Sequence, residues 1–325
     1  MARAKQVHVC GTCGWQSPKW VGKCQECGGW NTLSERAETV AAPSAGPVLR
    51  PVPLHEIPVE QGGEVRLRTG IGELDLALGG GVVAGSLVLI GGDPGVGKST
   101  LLLMALDRLA IRGFPVLYVT GEESLRQVRL RADRLGVSGA SLSLLAATDF
   151  GGIENAIRET CPAVAVIDSV QTMSWGDAAG IPGSATQVRE VAHRAMLLAK
   201  AGNTAVFLVG HVTKSGELAG PKILEHFVDA VLYFEGEGRS GVRVLRATKN
   251  RFGPAGEIGL FEMAEEGLRE VPDASARLLA ERAPEAAGTA VVAAIEGSRP
   301  VLVEIQALVG RPGIQMPART CVGVD

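Results

Sequence analysis

Between residues 64 and 270, short apolar runs rich in β-branched side chains alternate with amphipathic segments. That alternation predicts βαβ units around a mainly parallel sheet, an α/β fold. The runs at 87–91, 116–120, 164–168, 205–210, 229–234 and 242–248 predict strands, and 98–112, 124–135, 151–160 and 184–201 predict helices. Before this region, residues 37–53 are rich in Ala, Pro and Ser without apolar periodicity and read as a linker. After Pro272-Asp273, two alternating stretches, Gly288 to Glu296 and Arg299 to Val309, predict a hairpin around Gly297-Ser298. Some fifty residues with two or three strands make a thin core, so this last segment is expected to be part of a larger or truncated domain.

The chain has 325 residues, 46% of them hydrophobic and only 4% aromatic. That composition suits Val/Leu/Ile strands and Ala-rich helices, and the length suggests two or three domains. No run approaches the roughly 18 apolar residues of a membrane helix, and the N-terminus lacks a signal-peptide core, so a cytosolic protein with no membrane partner is expected. The net charge of −3 gives no bulk argument for nucleic-acid binding. Arg126, Arg129, Arg131 and Arg134 are expected to form a solvated helix face in preference to a DNA contact.

Four of the six cysteines lie within the first 27 residues. Cys10, Cys13, Cys24 and Cys27 give C-x2-C-x10-C-x2-C, with Gly14 and Gly28 after the two pairs. Each pair can turn both thiolates onto one ion, and the glycines permit the left-handed backbone of the knuckle. Four thiolates close a tetrahedral Zn²⁺ shell and leave no place for water, so the site is expected to be structural. Trp15, Trp20 and Trp30 are expected to cover this small core in preference to stacking on bases, and Cys161 and Cys321 read as ordinary small hydrophobes.

The strand ending at Ile90 runs into Gly91-Gly92-Asp93-Pro94-Gly95-Val96-Gly97-Lys98-Ser99-Thr100, which contains G-x-x-x-x-G-K-[ST] from Gly92 to Ser99. In this P-loop pattern backbone N–H groups cradle the phosphates of ATP, Lys98 reaches the β and γ oxygens, and Ser99 holds Mg²⁺. Val164-Ala165-Val166-Ile167-Asp168 is an apolar strand ending in a carboxylate suited to the hydration shell of Mg²⁺. The strand 116–120 is followed by Glu122 and Glu123 at the carboxyl edge, where ligands sit in such sheets. Glu122 is expected to orient the attacking water, with Glu123 or a plain helix cap as the alternatives. His211, at the end of the run from Ala205 to Gly210, is a candidate contact for the γ-phosphate or a satisfied sheet-edge histidine.

Gly-Asp-Pro-Gly-Val-Gly-Lys-Ser-Thr, Thr-Gly-Glu-Glu-Ser, Val-Ile-Asp-Ser-Val-Gln-Thr, Gly-His-Val-Thr-Lys and Lys249-Asn250-Arg251-Phe252-Gly253 follow in this order behind the four-cysteine finger. With them the chain closely resembles the bacterial RadA family, also called Sms, over essentially all its length. The resemblance implies a zinc finger at 1–33, a linker at 34–63, a RecA-like ATPase at 64–271 and, at 272–325, the opening of a Lon-protease-like domain whose remainder lies beyond Asp325. It implies a DNA-dependent ATPase of recombinational repair, working as a ring, expected to be hexameric, that drives branch migration as a helicase. Partners implied are single-stranded and branched DNA and a RecA-type recombinase; protease activity is not implied. Lys249 and Arg251 look like residues that reach a neighbouring subunit's nucleotide, and loops 172–187 and 212–222, with Lys214 and Lys222, resemble DNA-facing loops. A nucleotide-dependent switch that moves no nucleic acid is the rival reading.

Overall fold

The structure, a computed structural model, describes residues 6–12, 15–37, 52–56, 66–139, 141–176, 178, 180–211, 224–236, 241–280, 282, 287–310 and 320–322. It divides into two compact units, Met1–Gln61 and Gly62–Asp325.

In the first unit, β1 (Gln6–Cys10) pairs antiparallel with both β2 (Gln16–Ser17) and β3 (Leu33–Ala37). Its core is Cys10, Cys24 and Leu33, with Trp15 and Val21 packed against them. The expectation that three tryptophans cover this core holds for Trp15 alone. Trp20 and Trp30 are 55% and 71% exposed, because three small buried side chains offer surface for one indole and not for three. Of the expected linker 37–53, residues 38–51 lie outside the described residues.

The second unit opens with β4 (Arg66–Leu67), α1 (Gly72–Ala77) and β5 (Val82–Val83). The alternating core follows as β6 (Leu87–Gly92), α2 (Lys98–Ile111), β7 (Val116–Thr120), α3 (Leu125–Arg134), β8 (Leu142–Ala146), α4 (Phe150–Thr160), β9 (Val164–Asp168), α5 (Ala185–Gly202) and β10 (Ala205–Val209). The chain continues through β11 (Ala230–Gly236), β12 (Val242–Asn250), β13 (Ile258–Ala264), β14 (Gly267–Glu270), α6 (Ala274–Leu279), β15 (Thr289–Glu296) and β16 (Arg299–Gln306).

Nine of these strands make one sheet in the order β14-β13-β12-β11-β6-β10-β9-β7-β8. The six from β11 to β8 are parallel, and β12, β13 and β14 extend the sheet antiparallel. Odd and even residues of the central strands go to opposite faces. Val88 and Ile90 of β6 join a core with α1, α2 and α3, whereas Leu87 and Leu89 join one with α4 and α5. Both faces are therefore dry, which is why these strands read as unbroken apolar runs.

Helix starts follow local chemistry. The side chain of Ser124 and that of Gln127 form a reciprocal cap on α3, with Gln127 Oε1 accepting from the Ser124 N–H at 2.8 Å. Asp149 caps α4 by accepting from the Gly152 N–H at 2.8 Å. The C-terminus of α4 turns through Cys161 in the left-handed region, φ 44°, and leaves its side chain exposed. Cys161 and Cys321, read as ordinary small hydrophobes, are both free and exposed. Only Arg126, Arg129 and Arg134 form the expected solvated face of α3; Arg131 turns inward.

The hairpin β15–β16 forms around Gly297-Ser298 in the expected register, Glu296 opposite Arg299. It is tied to the sheet by polar contacts. Arg299 Nη1 donates to Glu73 Oε2 at 2.8 Å, the Ser298 N–H to Glu257 Oε1 at 3.0 Å, and Arg246 Nη1 to Glu296 Oε2 at 2.6 Å. Glu73 Oε2 also accepts from the Leu260 N–H at 2.8 Å and is almost fully buried. Glu73→Ala removes the carboxylate from a largely buried guanidinium and a buried N–H, an expected loss of about 3 kcal/mol. The check is urea unfolding, where the midpoint should fall with an unchanged slope.

Candidate nucleotide site and metal centre

The carboxyl ends of β6, β10, β9 and β7 finish together, because the register pairs Ile90 with Val209, Leu208 with Ile167, and Asp168 with Thr120. The loop after β6 can pass here only as glycine. Gly92 has φ 149°, and a Cβ on it would lie 2.2 Å from the Phe234 carbonyl oxygen of β11. From Gly92 the chain turns through Asp93, exposed Pro94 and Gly95, and buried Val96 into Gly97, the N-cap of α2. Gly97 offers no side-chain cap, so no side-chain acceptor meets the first N–H groups of α2. Positive helix dipole, bare amides and a lysine in the first turn suit the phosphates of ATP.

Lys98 is buried and donates to the carbonyls of Gly92 at 2.7 Å and Asp93 at 2.9 Å. Burial lowers its pKa, while the charges of Asp168, Asp93 and Glu122 push it back up. All three carboxylates are therefore near enough to act on the ammonium by charge. Glu122 Oε1 accepts from the Ser169 hydroxyl at 2.5 Å and lies 3.4 Å from His211 Nε2. Glu123 faces elsewhere, in an ion pair with Arg131 at 2.7 Å. The structure thus brings Lys98, Ser99, Glu122, Asp168 and His211 to one edge and leaves Glu123 outside the group.

Two further residues at this edge have no motif to announce them. The Tyr118 hydroxyl donates to Asp168 Oδ2 at 2.5 Å and accepts from Arg131 Nη2 at 2.9 Å, with Ser99 close enough to lower its pKa slightly. Burial, and then the Asp168 charge, raise the Tyr118 pKa, so the phenol stays protonated. The phenol therefore holds Asp168 beside Ser99, the pair expected to bind Mg²⁺, and the donor set of hydroxyl and carboxylate oxygens fits that ion. The sequence signal was a lone tyrosine in a wholly apolar strand, which needs a polar partner for its hydroxyl.

Lys249 and Arg251 lie at the other end of the sheet. Lys249 Nζ donates to the carbonyls of Glu225 at 2.5 Å and Val228 at 2.8 Å, and burial followed by the Arg251 charge lowers its pKa. Arg251 Nη1 donates to Asp229 Oδ1 at 3.1 Å, while Asp229 Oδ2 accepts from the N–H of Leu87, the first residue of β6. Lys214, Lys222 and the rest of the loop 212–222 lie outside the described residues.

In the first unit, Cys24 and Cys27 sit on a turn in which the Gly28 N–H donates to the Cys24 carbonyl at 3.0 Å, with Gly28 at φ 71°. The sulfurs of Cys10, Cys24 and Cys27 lie within 4.8 Å of one another, and those of Cys10 and Cys27 are 3.7 Å apart. A tetrahedron with Zn–S of about 2.3 Å has an edge of about 3.8 Å. The three thiols therefore fit a zinc ion and are spaced far beyond disulfide bonding. Cys13, the expected fourth ligand, lies outside the described residues.

A family model described as a rubredoxin metal binding domain matches residues 8–35, and one described as an AAA domain matches 64–217. The DNA repair protein RadA of Bacillus subtilis is 49% identical over all of this chain and 72% of its own length. The RadA proteins of Pseudomonas aeruginosa and Listeria monocytogenes are 49% and 47% identical over the same shares. The chain belongs to the RadA family of DNA repair proteins. Among solved structures, the KaiC-like protein PH0186 of Pyrococcus horikoshii aligns with 64% of this chain and 99% of its own, at TM-score 0.55 and 20% identity, a likeness of fold alone. The chain thus joins a zinc ribbon to a P-loop ATPase domain with a RecA-like sheet, and among the described residues no helix is long and apolar enough to cross a membrane.

Zinc should be stoichiometric with the purified chain, and Cys24→Ser should abolish it, because a shell missing one thiolate no longer folds its two turns. A chromogenic chelator assay on denatured protein measures both.

Proposed function

We propose that the chain is a DNA-stimulated ATPase of recombinational repair that works as a ring, hexameric by resemblance to its family, and drives branch migration as a helicase. The observation that carries this reading is the placement of Arg251 and Lys249. They lie near the amino end of β6, whose six residues separate them from the P-loop of their own chain by roughly 17 Å of strand. Cations held there suit the nucleotide of a neighbouring copy, where positive charge stabilises the phosphoryl group in transfer and ties hydrolysis to assembly.

Within one subunit, Gly92 to Thr100 would wrap the phosphates, with Lys98 at the β and γ oxygens. Mg²⁺, held by Ser99 and through water by Asp168, would supply positive charge to the β and γ oxygens. Glu122 orients a water whose oxygen bonds to the γ-phosphorus as the bond to the bridging oxygen breaks, and the water's proton passes to the carboxylate. Ser169 fixes the rotamer of Glu122, and His211 links the same carboxylate to the chain that enters 212–222. That placement supports His211 as the group through which the γ-phosphate is felt by a DNA-facing loop carrying Lys214 and Lys222. Loop 172–187 is the second proposed DNA contact.

The proposed division is zinc ribbon 1–33, linker 34–63, ATPase 64–271 and the opening of a Lon-like domain at 272–325 without protease function. Single-stranded and branched DNA and a RecA-type recombinase are the proposed partners, in the cytoplasm.

The test is ATP hydrolysis with and without single-stranded DNA. Stimulation by DNA, lost in Lys98→Ala and in Arg251→Ala, is the expected result; hydrolysis indifferent to DNA overturns the motor and leaves a nucleotide switch. Glu122→Gln should lower kcat by about 10²–10⁴ with little change in nucleotide affinity. Mixing Lys98→Ala with Arg251→Ala chains should restore part of the activity, since some interfaces then pair an intact P-loop with an intact Arg251. Absence of any restoration places Arg251 in cis.

A further inference from the structure

The zinc ribbon exposes two of its three tryptophans, and they are neighbours. Trp20 Cη2 and Trp30 Cζ3 lie 3.7 and 4.0 Å from the point where a Cβ on Gly22 would stand, so both indoles flank one glycine. The backbone beneath them is fixed. Lys23 and Trp30 form an antiparallel bridge, and the Asn31 N–H donates to the Gly22 carbonyl at 2.8 Å. This short ladder spans the turn that carries Cys24 and Cys27, so Trp30 belongs to the metal-binding turn's own ladder and Trp20 packs at its edge against Gly22.

Exposed apolar surface of this size on so small a module is unfavourable in water unless something covers it. Its surroundings indicate what. Lys19, next to Trp20 in the chain, and Lys23 are both exposed, and the Lys23 ammonium lies 5.7 Å from the centre of the Trp30 ring. Residues 1–37 hold five basic side chains, Arg3, Lys5, Lys19, Lys23 and Arg36, against two acids, Glu26 and Glu35, in a chain that is acidic as a whole. The excess of three exceeds the net −2 that a zinc ion with four thiolates contributes. Protein interfaces enrich aromatic residues but deplete lysine. Indoles edged by lysines instead match a single strand, whose unpaired bases stack on aromatic faces without regard to sequence and whose phosphates meet the ammonium groups. In a duplex the base faces are already stacked on one another.

We propose that Trp20 and Trp30, braced around Gly22 and edged by Lys19 and Lys23, form a platform on which the zinc ribbon holds single-stranded DNA. The platform shares no residue with the ATP site and needs no nucleotide, so it stands or falls apart from the ATPase reading.

The experiment is fluorescence anisotropy of a labelled oligo(dT) with the full chain, without nucleotide, in the wild type and in Lys98→Ala, and in each with Trp20→Ala/Trp30→Ala. Zinc content and DNA-free ATP hydrolysis of the wild-type background serve as controls for folding. The alanine pair should weaken oligo(dT) binding by about tenfold or more, equally in both backgrounds, leave duplex affinity unchanged, and retain zinc. Trp20→Phe/Trp30→Phe should keep most of the affinity, since phenyl rings also stack. Should the alanine pair lose zinc, Lys19→Gln/Lys23→Gln replaces it; a shallower salt dependence of oligo(dT) binding supports the platform. Undiminished oligo(dT) affinity, an equal loss on duplex, or an unchanged salt slope overturns it and leaves the indoles as a docking surface for a protein.

Discussion

A parallel sheet covered by helices on both faces has no place for charge along the middle of its strands. Everything polar in the central strands of this unit is accordingly pushed to their ends. At the carboxyl ends stand Lys98, Glu122, Asp168 and His211, and at the amino end of β6 stands Asp229 with Arg251. Tyr118 is an exception buried within a strand, and its hydroxyl is tolerated because it bonds both Asp168 and Arg131. The two ends are held in register by the same hydrogen-bonded ladder, so a shift of β9 against β10 would move Asp168 away from the P-loop by a whole residue.

This constraint also decides what was readable in the sequence. Strands dry on both faces announce themselves as apolar runs, and β7, β9 and α2 lie where that pattern puts them, to within a residue. The half-exposed β8 at the sheet edge and the β13–β14 extension gave no such run, and both were missed. The P-loop was legible because its glycines have steric causes, as Gly92 against Phe234 illustrates. The choice between Glu122 and Glu123 was not, since adjacent residues with the same side chain are separated only by which neighbour each meets, Ser169 or Arg131. Tyr118 and Arg131 were hidden for a related reason: their partners are 50 and 13 residues away along the chain.

The zinc ribbon follows a different economy. With so few residues, metal ligands and a handful of apolar side chains occupy the whole interior, and an indole beyond the first is left outside. The convergence of Cys10, Cys24 and Cys27 was therefore legible in their spacing, whereas the burial of each tryptophan was a question of capacity that spacing does not answer.

Lys98 in the described state is a ligand of its own loop, its ammonium shared between the carbonyls of Gly92 and Asp93. An incoming anion must displace those two bonds before it gains anything from the lysine, so its affinity is set by an exchange and not by a simple addition. A polyphosphate reaching the bare amides of Gly97 and the first turn of α2 would make more bonds for the same two displaced than a lone phosphate would, so the exchange favours the longer chain.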